Sequence, residues 1–203
     1  MSTTEGAKKE TPRAKMLEVA RRLFWEKGYQ ATSIRDIARA YGCRPANIYN
    51  FFSDKEEMLF EVLRDEMQEI LDPIVAIEED EEQDPKDQLR KVIENHLNVT
   101  LSYRRSAKLL FDVALDSLSH EKRSAIVAMR DRYDKIIRKV IQRGIRKGIF
   151  VETDPKIVGI LIASMITRTR LWFHTDKGLS AAELSEFIFQ FVLRALTKDS
   201  NKN

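Results

Sequence analysis

The sequence predicts an all-α protein of about nine helices. Three observations lead there. Apolar residues recur every three or four positions along most of the 203 residues. No segment of any length alternates apolar and polar residues as a half-buried strand would. Only 7 glycines and 5 prolines interrupt the chain, and several stand where helices begin or end.

The elements follow in order. Residues 1–12 are polar and charged and are expected to form a disordered basic arm, not a secretory signal. A first helix covers Arg13 to Lys27, with Leu17, Ala20, Leu23 and Phe24 on one stripe and Gly28 ending it. Ser33 caps a second helix from Ile34 to Ala40, with Asp36 at the capping-box position. Tyr41-Gly42-Cys43 turns the chain, and Pro45 opens a short helix to about Phe51. Ser53 is expected to cap a longer helix, with Glu56 in the box position and Met58, Leu59, Val62 and Leu63 inward.

Beyond it, Glu78 to Asp84 reads as an exposed acidic loop separating the N-terminal module from the rest. Asp84-Pro85 and Asp154-Pro155 each pair a capping carboxylate with proline at the first helical position. They open helices near 85–103 and 155–175. Two more are expected near 105–118 and 120–147. Ser180, with Glu183, caps a last helix to about Leu196.

Composition narrows the function classes. No apolar run approaches the roughly 18 residues that span a bilayer, so no membrane segment is expected. One cysteine, Cys43, excludes an internal disulfide and suits a reducing cytoplasm. Charge is uneven: residues 1–55 hold 11 Lys/Arg against 6 Asp/Glu, residues 56–87 hold 2 against 14, and residues 88–203 hold 22 against 12. A basic N-terminal module suits a polyanionic partner. The sequence contains no glycine-rich phosphate loop, G-x-S-x-G or H-E-x-x-H. His96, His120 and His174 lie on separate predicted helices. Neither an enzyme nor a metal or other cofactor is expected; a helical adaptor that binds only protein is the other competing class.

The stretch Thr32 to Lys55 decides between them. Ile34, Ile37, Ala38 and Ile48 can pack two short helices, and Gly42 can take the positive φ their turn requires. Arg44, Pro45, Ala46, Asn47, Tyr49 and Asn50 then lie on a helix that can face a major groove. Arg and Asn suit bidentate contacts to guanine and adenine. Tyr49 and Lys55 can hold phosphates, as can the helix starts at Thr32–Ser33 and Ser53.

Gly28-Tyr29, Thr32-Ser33-Ile34-Arg35-Asp36-Ile37-Ala38, Gly42, and Pro45-Ala46-Asn47-Ile48-Tyr49-Asn50-Phe51-Phe52 with Lys55 resemble the DNA-binding motif of the TetR family of bacterial regulators. The resemblance implies a DNA-binding domain over 13–56 and a ligand-binding and dimerisation domain over 57–203. It also implies a homodimer on a palindromic double-stranded operator, most often a repressor released by a small molecule. Thr32, Tyr49 and Lys55 match phosphate-contacting positions. Arg35, Arg44, Ala46, Asn47 and Asn50 match positions that can face the groove, and Ser33 and Pro45 stand beside them in the motif. The chain departs from the common pattern at Arg44-Pro45-Ala46-Asn47, and at Cys43, where valine is usual. Cys43 reads as a small buried apolar residue, with redox sensing as the alternative.

Met165 to His174, Asp176-Lys177-Gly178-Leu179-Ser180, Glu183 and Phe187 resemble a narrower group that regulates fatty-acid, sterol or aromatic-acid breakdown and senses acyl-CoA thioesters. Such an effector needs an apolar tunnel and cations for its phosphates. Leu97, Leu101, Phe111, Met129, Tyr133, Met165 and Trp172 are candidates for the first, and Arg104, Arg105, Lys108, Arg168 and Arg170 for the second. A drug-sensing regulator of an efflux pump is the alternative. Ile157, Ile160, Leu161 and Ser164, with Leu184, Phe187, Ile188 and Phe191, form apolar faces suited to an intersubunit four-helix bundle.

Overall fold

The structure, a computed structural model, describes residues 11–102, 114–174 and 178–198. Eight α-helices and one 3-10 turn are seen among them, and they contain no strand. The ninth expected helix, near 105–118, falls largely outside the described residues, as do residues 1–10.

Three helices form the N-terminal module: α1 (Pro12–Lys27), α2 (Ile34–Tyr41) and α3 (Pro45–Ile48). Thr11 caps α1, its hydroxyl accepting from the Ala14 N–H at 3.2 Å. The Ser33–Asp36 box closes the start of α2 as expected. Gly42 ends it at φ 86°, its N–H and that of Cys43 both donating to the Ala38 carbonyl at 2.9 Å. That conformation strongly favours glycine. α3 is shorter than expected. The Asn50 and Phe51 amides bond to carbonyls three residues back, which tightens the chain into a turn.

α4 (Lys55–Leu71) starts one residue later than the Ser53 reading. Asp54 is its cap, accepting from the Glu57 N–H at 2.7 Å, while the Glu57 carboxylate accepts from the Ser53 N–H. The box is therefore filled by Glu57 and not Glu56. α4 packs on both halves of the chain. Arg13 pairs with Glu61, and Arg21 with Asp65 at 3.1 Å, tying α1 to it.

α5 (Pro85–Ser102), α6 (His120–Arg146), α7 (Pro155–Trp172) and α8 (Ala181–Leu196) complete the described chain. They bury one continuous core with α4, including Leu89, Val92, Ile93, Ile136, Ile137, Val140 and Ile162. The acidic run is not a separating loop. Val75–Glu78 forms a 3-10 turn against α6. Glu78 is buried and pairs with Lys135 at 2.7 Å, and Glu81 pairs with Arg143 at 3.2 Å and Arg146 at 2.9 Å. Arg143 is itself buried, donating to the Gln88 Oε1 at 2.6 Å and to the Ile77 carbonyl.

Candidate nucleic-acid interface and effector cavity

Packing divides the expected DNA-facing residues into two sets. Ile37, Ala38 and Ile48 are buried, so the opposite faces of α2 and α3 point outward. Arg35, Arg44, Pro45, Ala46, Asn47, Tyr49 and Asn50 all lie exposed on that side. Tyr49 retains 57% of its surface despite its size. Arg44 precedes α3 without spending its side chain on the cap. One surface therefore offers a guanidinium, two carboxamides and a phenol.

Thr32, Ser33 and Lys55 are occupied within the chain. Thr32 is buried, its hydroxyl 2.8 Å from the Gly28 carbonyl and its N–H on the Tyr29 carbonyl. It buttresses the α1–α2 loop and presents no free donor to a phosphate. Lys55 Nζ donates to the Tyr29 and Thr32 carbonyls at 3.0 and 2.9 Å and lies 4.1 Å from the centre of the Tyr29 ring. Burial pulls its ammonium below the usual lysine range. The Ser33 hydroxyl serves the capping box, and the Ser33 and Ser53 amides donate to Asp36 and Glu57. A polar residue beside a cap has two possible uses, and the sequence does not separate them. Lys8 and Lys9 of the arm are balanced by Glu5 and Glu10, so the arm is not basic overall.

A cavity of about 400 Å³ lies between α4, α5, α6 and α7. Met67, Ile70, Ile160 and Ala163 give it apolar walls; Glu66, His96, Tyr133, Asp134, Thr167, Arg130, Arg168 and Arg170 make the rest polar. His96 Nδ1 is 2.8 Å from the Tyr133 hydroxyl. Burial, and secondarily Arg170, push the imidazole down to about 3, so it is neutral at neutral pH. Ser164 and Arg168 also line an adjoining apolar groove of about 520 Å³, with Met165, Trp172, Leu184, Phe187, Ile188 and Phe191.

Of the expected effector residues, Tyr133, Arg168 and Arg170 line the cavity, and Met165, Arg168 and Trp172 the groove. Leu97 is fully buried, Leu101 and Met129 pack partly buried on the core, and none of the three lines either space. Arg104, Arg105, Lys108 and Phe111 lie outside the described residues. The buried ion pair of Glu66 with Arg170 escaped the sequence reading. Its signal was available: Glu66 falls among Leu59, Val62, Leu63, Met67 and Ile70, where the helical period demands an apolar residue.

The expected dimer residues also divide. Ile157, Ile160, Leu161, Ser164, Phe187 and Phe191 are exposed, joined by Leu171 and Trp172. Leu184 and Ile188 are buried within the chain, where they line the groove.

Comparison with known proteins meets this geometry at both ends. Residues 16–62 match bacterial regulatory proteins of the tetR family, and residues 82–196 match the tetracyclin repressor-like C-terminal domain. The chain belongs to the TetR family. It is 27% identical over 198 residues to the HTH-type transcriptional repressor KstR2 of Mycobacterium tuberculosis, covering 92% of this chain and 94% of that one. The TetR-family regulator PfmR of Thermus thermophilus superposes with a TM-score of 0.79 at 31% identity, over 91% of this chain and 100% of that one. AibR, solved with isovaleryl coenzyme A and operator DNA, shares the fold at a TM-score of 0.78 and 21% identity, over 89% and 97%. As a TetR regulator the chain acts as a homodimer on operator DNA.

Proposed function

We propose that this TetR regulator is a repressor released from a palindromic operator by an acyl-CoA or a fatty acid. In this reading residues 13–56 read the DNA, residues 57–203 bind effector and partner, and the protein works in the cytoplasm without enzymatic activity. The observation that carries the effector class is the cavity between α4, α5, α6 and α7. Met67, Ile70, Ile160 and Ala163 give it apolar walls, Arg130, Arg168 and Arg170 line it as well, and an apolar groove shares Ser164 and Arg168 with it. That combination suits an apolar chain ending in an anionic or carbonyl group. KstR2 is a repressor by name, and AibR was solved with an acyl-CoA and operator DNA, which supports the same reading.

The test begins with a duplex selected by the wild-type protein from a random-sequence library. Binding to it should weaken steeply with added salt. Arg44→Ala and Asn47→Ala should each cost about 1–3 kcal/mol of operator binding and relax the preference at one base position. Decanoyl-CoA or decanoate should displace the duplex and raise the melting temperature. Displacement by a cationic dye, with both acyl probes inert, would move the assignment to a drug sensor.

A further inference from the structure

Arg170 touches the cavity, α4 and the DNA-binding module together. It lies in the cavity wall on α7. Its Nη2 donates to Glu66 of α4, and its guanidinium carbon lies 5.6 Å from the ring centre of Trp25 on α1. The Glu66 and Arg170 side chains are only 2% and 4% exposed. Two apolar residues would hold α4 against α7 at least as well as a buried ion pair, so the pair is poorly explained by stability alone. Arg170 Nε and Nη1 are buried and find no hydrogen-bond acceptor among the described residues. A guanidinium with one nitrogen on Glu66 and two nitrogens without an acceptor is equipped to receive another oxygen ligand.

We propose that Arg170 senses the effector by exchanging partners. An oxygen acceptor at the end of an apolar ligand, either a carboxylate or a thioester carbonyl, takes the remaining guanidinium donors and draws Arg170 from Glu66. Arg130 and Arg168 line the same cavity and can hold the ligand's other acceptors, while the neutral imidazole of His96 adds no further cation beside Tyr133. Loss of the Glu66 tie frees α4 from α7. α4 carries Glu61 and Asp65, which hold Arg13 and Arg21 of α1, so its movement is passed to the DNA-binding helices. This inference rests on the effector class proposed above.

The experiment measures operator affinity and its displacement by decanoate and by decanoyl-CoA for three proteins: wild type, Glu66→Gln, and Glu66→Gln with Arg170→Gln. Melting curves verify that each is folded. Glu66→Gln mimics the effector, so without ligand it should bind the selected duplex about tenfold more weakly than wild type, and acyl probes should displace it at about tenfold lower concentration. The double variant should bind the duplex as weakly and ignore both probes. It also carries the test if Glu66→Gln alone fails to fold. Whichever of the two probes acts identifies the acceptor as carboxylate or thioester. Wild-type operator affinity in Glu66→Gln, or an unchanged displacement midpoint, overturns the proposal. If neither probe displaces the wild type, the effector class is wrong, and the ligand-free affinity of Glu66→Gln still supports or overturns the tie.

Discussion

His96 lies wholly inside the protein, its ring edge-on to Tyr133 at 5.0 Å between centroids. Burial disfavours its charged form, so the folded chain holds the proton only down at about 3, against an ordinary value of 6.5. The sign follows from which state binds more protons. Between these two values the unfolded chain is protonated at His96 and the folded chain is not, so stability falls as pH falls. From about pH 7 to about pH 5 this one residue should cost about 2 kcal/mol. His96→Gln removes the titration and keeps a polar group beside the Tyr133 hydroxyl. Urea unfolding of both proteins at the two pH values should show the wild type losing about 2 kcal/mol more than the variant; equal losses would refute the assignment. None of this could be read from the sequence, where His96 is one histidine on a predicted helix. The same limit hid Thr32, whose burial depends on how α1 meets the loop before α2.

At the scale of elements, local chemistry was legible and distant pairing was not. Gly42, the Ser33–Asp36 box, the Ser180–Glu183 box and the cap of α7 by Asp154 all depend on residues within a few positions, and the structure contains each. The start of α4 was displaced because Ser53 and Asp54 are both good caps with a glutamate three residues ahead, Glu56 and Glu57 respectively. Only the final packing selects Asp54. The acidic run was misread for a different reason: its partners Lys135, Lys139, Arg143 and Arg146 lie far along the chain on α6. The end of α6 supplies a sharper test of packing. A Cβ on Gly144 would stand 2.0 Å from the Phe150 ring, which is buried, and the Ile149 and Phe150 amides both bond to the Gly144 carbonyl at 2.9 and 3.0 Å. At this position glycine permits the close approach of the ring. Gly144→Ala must push the ring out of its seat and should destabilise the protein by about 1–3 kcal/mol, despite alanine's better helix propensity. A denaturation midpoint at or above the wild-type value would show that the ring is free to shift.

At the scale of the whole molecule, the apolar surface is concentrated on one face. Ile157, Ile160 and Leu161 on α7 and Phe187 and Phe191 on α8 are each at least half exposed, and Trp172 extends the patch. A contiguous exposed apolar patch of this kind marks a surface that is covered in use. The proposed two-fold contact sets this patch against its own copy, as a bundle of two helices from each chain. A dimer is also what DNA reading demands, because two recognition surfaces must reach half-sites about one turn, roughly 34 Å, apart. Phe187→Glu with Phe191→Glu tests both requirements at once. The two rings retain 67% and 58% of their surface, so replacing them should change the stability of the single chain by only about 0.5 kcal/mol each. A pair of carboxylates per subunit would, however, be buried against a like pair across the two-fold axis, which association cannot tolerate. The variant should sediment as a folded monomer. With only one half-site engaged at a time, it should bind the full operator at least about 100-fold more weakly than the wild type. Binding to an isolated half-site should be nearly unchanged, because the α2–α3 surface lies on separate elements. A variant that remains dimeric places the subunit contact elsewhere. A monomer that holds the full operator as tightly as the wild type would mean that the two half-sites are not read together.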